Sequence, residues 1–310
     1  MSFSRLHPHR LAATIFAFAL SLTPFTTTAV AQQGQNRERA EAPSITSTVS
    51  SLVSLGANVL SPAARTVQSD PYYQFRNQRY TNEGLISERD EIALGNQLHV
   101  ELQKKYRMTN EGQGRANTVG QRVARASQRP NIPYRFHVVQ SNDINAFSIP
   151  GGHIYVTAGL MKFADDGELA SVLSHEVGHV VARHSLKTLQ ASQFLGGIAD
   201  LLGSIAGIAG EGAGQLGTAA ARIVASGVLA THNREEEREA DYLGVRSMPR
   251  AGYNPEGMVT MFQKLYQVSQ KNHDLLGSLF NDHPDVEERI LNTRYEVNRM
   301  NNQPRSRRRR

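Results

Sequence analysis

Two histidines four residues apart, His175 and His179, with Glu176 directly after the first, stand inside an apolar run and constrain this chain more than any other feature. Leu169, Val172, Leu173, Val177, Val180 and Val181 recur around them at helical spacing. Asp165 and Asp166, ahead of Gly167 and Glu168, are N-cap candidates for a long helix reaching to about Gln190. On such a helix residues i and i+4 lie on one face, one turn apart, so the two imidazoles converge on a single metal ion. Glu176 flanks them, close enough to hold and deprotonate a metal-bound water. The competing reading is a helix that carries two solvated histidines.

A mononuclear catalytic zinc takes three protein ligands and keeps one position open. One variant of the pattern places a third His six residues after the second, with a Gly between. Ala182 and Ser185 stand at those places, which excludes it. His184 lies nine residues beyond His175, about 900° of rotation on a continuous helix, so it faces the opposite side as a structural or surface histidine. The remaining variant draws a Glu from a second helix, with an Asp four residues later. Glu237 and Asp241 meet that spacing. Glu237 would ligate zinc, and Asp241 would accept the second ring N–H of a ligand histidine and fix its tautomer. Glu235, Glu236 and Glu239 compete in the same run, which also reads as a charged surface.

The rest of the chain supplies the frame. Its 310 residues allow one large or two ordinary domains, and 39% hydrophobic content supports a real core. The absence of Cys excludes a disulfide framework, thiolate metal ligands, a cysteine nucleophile and a lipid anchor on an N-terminal cysteine. Helices are expected over 86–107, 114–128, 235–246, 255–270 and 284–300, and strands over 134–140, 146–149 and 153–157. This is an α+β arrangement, mainly helical, with a small mixed sheet beside the histidine-bearing helix. The strand over 153–157 is the candidate edge for an extended substrate, because strand addition reads backbone and only loosely reads side chains; an ordinary sheet strand is the equal alternative. Residues 194–231 alternate Gly with Ala, Ile and Leu, which suits a mobile lid between the second and third ligands. Close helix packing or membrane contact would use the same small residues.

Residues 1–31 read as a cleaved secretory signal: Arg5 and Arg10, an apolar run over 11–22, Pro24, and Ala29-Val30-Ala31 before Gln32. The run is about 12 to 15 residues long, where a membrane span needs about 20. Residues 32–78 form a polar lead-in, in which Ile45, Val49, Leu52, Val53, Leu55 and Val59 allow one weak amphipathic helix. At the far end, 301–310, Arg305 and Arg307 to Arg310 make a basic tail. Such a tail stays solvated, or is drawn to an anionic membrane surface at about 1 kcal/mol per charge. Of the 34 basic residues, two lie in the signal and five in the tail, leaving 27 against 28 acidic residues over 32–304. The formal +6 therefore describes the two ends. Nucleic acid is not expected as a partner, since aromatic residues are not interleaved with the basic ones.

Taken together, these stretches resemble the gluzincin metalloendopeptidases, the family that includes the CAAX prenyl endopeptidases, the HtpX heat-shock protease and soluble periplasmic proteases such as BepA. The matches are Asn145-Ala146-Phe147 with Pro150-Gly151-Gly152, Gly159-Leu160, His175-Glu176-x-x-His179-x-x-x-x-His184, Glu237-x-x-Ala240-Asp241, Ala251-Gly252-Tyr253-Asn254-Pro255 and His283-Pro284. The resemblance implies a zincin-like metallopeptidase domain over 79–300, with one Zn2+ per chain on His175, His179 and Glu237 and with Glu176 as the catalytic base. It also implies that His283 lies near the metal, either in the open coordination position or stabilising the reacting substrate. From sequence alone a His before Pro serves equally well to start a helix. The implied activity is hydrolysis of unfolded or misassembled envelope proteins in the periplasm. One alternative is a zinc-containing, chaperone-like binding protein with little proteolysis, against which the intact Glu176 argues. Another is a structural or tethering protein using the basic tail, in which a complete metal site would have no purpose. The periplasmic relatives carry a C-terminal half of tetratricopeptide repeats, and recognition through such repeats is not carried over.

Overall fold

The computed structural model describes residues 70–80, 86–191, 213–227, 229, 231–271, 279, 283 and 285–303. The signal, the weak amphipathic helix of the lead-in, residues 194–212 of the Gly/Ala-rich stretch and the tail arginines lie outside the described residues. Helices α1 (Glu88–Lys105) and α2 (Gln113–Arg125) precede three short strands, β1 (Arg135–Val139), β2 (Ala146–Ile149) and β3 (His153–Thr157). There follow α3 (Ala158–Phe163), α4 (Asp166–Ala182), α5 (His184–Ala191), α6 (Ala213–Ser226), α7 (Arg234–Ser247), α8 (Glu256–Lys271) and α9 (Val286–Asn302). The class is α+β, mainly helical, with one mixed sheet. Among the described residues no helix is long and apolar enough to cross a membrane.

In the sheet, β3 is central. β1 runs parallel to it, with His137 opposite Tyr155, and β2 runs antiparallel, with Ile149 opposite His153. The expectation of a free edge over 153–157 is therefore corrected: a strand paired on both sides has no row of unpaired backbone groups to offer. The edge beside α4 is β2. All five residues of β3 are buried, with Ile154, Tyr155 and Val156 between the polar ends His153 and Thr157. A single turn over Pro150–Gly152 joins β2 to β3, with Gly151 and Gly152 at φ 79° and 90°. Those left-handed angles are open to glycine at little cost.

Side chains that alternate along the strands divide the core in two. Phe136, Val138, Ile154 and Val156 pack with Val119 and Val123 of α2 and with Leu169, Leu173 and Val177 of α4. Val139, Ile149 and Tyr155 face the other way, against Leu94, Leu98 and Leu102 of α1 and Ala220 and Ile223 of α6. The described part of the Gly/Ala-rich stretch thus lies as a helix on α1.

Asp165 and Glu168 close a reciprocal capping box at the start of α4. Fourteen of its 17 residues are buried, so its histidines are not solvated. The helix stops at Ala182 and does not run on to Gln190. Arg183 takes a left-handed conformation at φ 59°, held by an ion pair with buried Glu91 at 3.1 Å, and the chain restarts as α5. Asn233 and Glu236 cap α7 in the same reciprocal way. α7 then crosses α4 at very short range. A Cβ on Gly178 would stand 2.7 Å from the Ala240 carbonyl oxygen, and one on Gly244 would stand 3.1 Å from the His175 nitrogen. Small residues at the crossing set how close the two helices come.

Candidate metal centre

α4 presents His175 and His179 with their Nε2 atoms 2.9 Å apart and their rings at 86° to each other. From α7, Glu237 brings its carboxylate oxygens to 3.4 Å from His175 Nε2 and 3.2 Å from His179 Nε2. His283, just ahead of α9, puts Nδ1 3.0 Å from Glu237 Oε1 and 3.3 Å from His175 Nε2. One donor atom from each of these four buried residues falls within a spread of 4.8 Å. Glu176 reaches the same space, its Oε1 3.7 Å from His283 Nε2. Asp241 Oδ1 lies 2.8 Å from His175 Nδ1. A proton held between those two leaves the His175 Nε2 lone pair facing Glu237.

Six residues read from the sequence are thus brought to one place from three separate stretches of chain. The competing carboxylates go elsewhere: Glu235 is exposed, Glu236 caps α7, and Glu239 accepts from His184.

His184 is a correction. It does not face away from His179; its Nδ1 is 2.8 Å from His179 Nδ1, and its Nε2 is 2.9 Å from Glu239 Oε2. The rotation argument assumed a continuous helix, and the break at Arg183 turns the chain back. Two further residues went unread. Arg289 donates from Nε and Nη2 to both Asp241 oxygens at 2.8 Å, and its Nη1 is 2.8 Å from Glu237 Oε2. A signal for it exists, since Arg289 and Glu296 sit on the buried stripe of α9 with Val286, Thr293 and Val297. His232 stacks on His179 with centroids 3.8 Å apart, and no local pattern marks it.

Burial disfavours charge on every group here, and partners decide which groups keep it. Burial holds His179 well below its ordinary value, and His232 and His175 add to the effect, so its lone pair is available. Burial alone would raise Glu237, but His283, Arg289 and His175 hold it well below the usual carboxylate range. Burial and Arg289 push His175 down, yet Glu237 and Asp241 outweigh them and raise it to about 9.

Two buried atoms at this point, Glu176 Oε2 and His283 Nε2, have no aligned hydrogen-bond partner. Such orphans are rare and costly in a protein interior. Imidazole nitrogens with one carboxylate are the donor set of a zinc-type divalent ion, so the residues present fit a metal.

The tight helix crossing makes this geometry sensitive. Gly178→Ala is expected to force α7 outward, to cost about 1–3 kcal/mol of stability, and to draw Glu237 away from the histidines. Thermal unfolding and metal retention after dialysis check it; a variant unchanged in both would show that the crossing has slack.

The family model described as peptidase family M48 matches residues 110–297. The beta-barrel assembly-enhancing protease of Yersinia pestis is 31% identical over 195 residues, 61% of this chain and 39% of the relative. Its namesake in Escherichia coli (strain K12) is 27% identical over 194 residues, 59% of this chain and 38% of the relative. Metalloprotease YcaL of the same organism is 28% identical over 217 residues, 68% of this chain and 82% of the relative. The chain therefore spans about two fifths of the length of the first two relatives.

Proposed function

This chain belongs to peptidase family M48, and from that premise we propose that it is a zinc-dependent endopeptidase of the cell envelope, acting on unfolded or misassembled proteins. The observation that carries the reading is the single buried point where His175, His179 and Glu237 converge beside Glu176. His175, His179 and Glu237 would hold the ion. When bound, zinc supplies Lewis acidity, polarising the scissile carbonyl and making water a nucleophile near neutral pH. Glu176 takes the proton of the attacking water and passes it to the leaving amine. Asp241 keeps His175 in the right tautomer, and Arg289 offsets the two buried carboxylates. His283, whose Nδ1 is 3.0 Å from Glu237 Oε1 and whose Nε2 is 3.7 Å from Glu176 Oε1, would serve either as a fourth donor or as a hydrogen-bond partner of the reacting substrate.

An extended substrate adds to the β2 edge, which lies against α4. Beside Glu176 a cavity of about 40 Å³ is lined by Val172, Met258, Met261, Phe262 and Leu265, so the side chain next to the scissile bond is apolar. Backbone recognition with one apolar pocket suits exposed stretches of unfolded protein. Two considerations support the envelope: the export signal read over 1–31, and relatives named beta-barrel assembly-enhancing proteases.

This site is expected to hold one zinc per chain, and the mature protein is expected to cleave casein. Stripping with a chelator should abolish cleavage, and zinc should restore it; equal cleavage by zinc-free protein would overturn the reading. Because His175 holds a proton up to about pH 9 in the metal-free protein, zinc must displace that proton. Zinc affinity at this site should therefore climb about tenfold per pH unit between pH 6 and 8. Competition with a calibrated chelator measures it, and a flat profile would show that zinc displaces no proton from His175.

A further inference from the structure

On the face of the sheet away from α4, three histidines meet: His99 from α1, His137 from β1 and His153 from β3. We propose that they form a second metal site, for a borderline divalent ion of the zinc, nickel or copper type. One nitrogen from each lies within a spread of 4.8 Å of the others. Among the described residues no Asp or Glu joins the group, and imidazole alone suits such ions and not magnesium or calcium.

The outer hydrogen bonds sort the ring nitrogens. His153 donates Nε2–H to Asn96 Oδ1 at 3.0 Å, which leaves Nδ1 as a lone pair. His99 Nδ1 is paired with the Tyr155 hydroxyl at 2.8 Å, which leaves Nε2. His137 Nε2 faces His153 Nδ1 at 3.0 Å. Partners of this kind orient ligand histidines around metals. The rings lie stacked, with His99 4.3 Å from His137 and 4.6 Å from His153 between centroids. Two nitrogens bound to one tetrahedral ion stand about 3.3 Å apart. The His137–His153 contact must therefore open by a few tenths of an ångström and the rings must turn. His99 and His137 are half-buried, so the turn falls to them, while His153 is buried and held by Asn96.

Protonation does not oppose binding. Burial, with help from His99 and Arg135, lowers His137 to about 4, and burial with the neighbouring histidines lowers His153 to about 3. Burial also lowers His99. All three are neutral near pH 7, as ligands must be. Among the described residues Arg135 is the adverse charge beside the group; its side chain is exposed and donates to Asn96 Oδ1 at 3.3 Å, so water screens it. An ion here ties α1 to two strands of the sheet.

The test equilibrates the full mature chain with zinc chloride, removes free metal by gel filtration and counts zinc per chain. Two zinc ions are expected in the wild type and one in His137→Ala, with casein cleavage by His137→Ala unchanged. His99→Gln, at a half-buried helix position, should behave the same and serves if His137→Ala fails to fold. His179→Ala should keep only the second zinc. One zinc in the wild type, or two in both His137→Ala and His99→Gln, would overturn the second site. Two in His179→Ala would instead overturn the assignment of the first, so the two readings fail separately.

Discussion

Glu176→Gln is expected to lower casein cleavage about a thousandfold, within the range that loss of a general base covers, while zinc content stays at the wild-type value. The side chain is buried, its Oε2 has no hydrogen-bond partner, and it is not among the four groups whose donor atoms cluster. Gln has the same shape and leaves the packing of α4 intact. What it cannot do is accept a proton from water and give it to an amine. Parallel zinc analysis and cleavage assays on the two proteins decide the matter. Equal cleavage would move the chemistry to another residue. Lost cleavage with lost zinc would make Glu176 part of the metal's support.

Arg289→Met should produce the largest loss of stability, on the order of 3–5 kcal/mol, because it leaves Glu237 and Asp241 buried without their cation. Met keeps the contact with Phe262, over whose ring the guanidinium lies at 4.3 Å, so lost packing contributes little. Zinc bound at Glu237 would neutralise part of the same charge. The deficit should therefore be smaller with zinc present than with chelator, a linkage that denaturant titration under the two conditions measures. An equal deficit in both would mean that Arg289 and the metal do not share Glu237.

Much of the site could be read along the chain because its parts are local. The turn-to-turn spacing of His175 and His179, the Asp165 cap and the i, i+4 relation of Glu237 to Asp241 each lie within one helix. Periodicity and capping act over such distances. The limits of the three strands and of the helices around 88–105, 113–125 and 234–247 were legible for the same reason. Where the reading failed, a long-range partner was responsible. Arg183 leaves helical geometry where no Gly or Pro marks a stop, and its partner Glu91 lies more than 90 residues earlier. That one left-handed residue puts His184 against His179.

The amino-acid order by itself determined a capped helix with two imidazoles on one face, and a Glu–Asp pair one turn apart on a later helix. Both statements concern residues within a few turns of one another. Only the tertiary structure decided which strand is the sheet's edge, that Arg289 closes the charge balance between Glu237 and Asp241, and that His99, His137 and His153 meet on the opposite face of the sheet. Strand order and charge pairing are settled by the approach of segments far apart in the chain. At Gly178 and Ala240 that approach is limited by a single missing Cβ, a distance that no local pattern encodes.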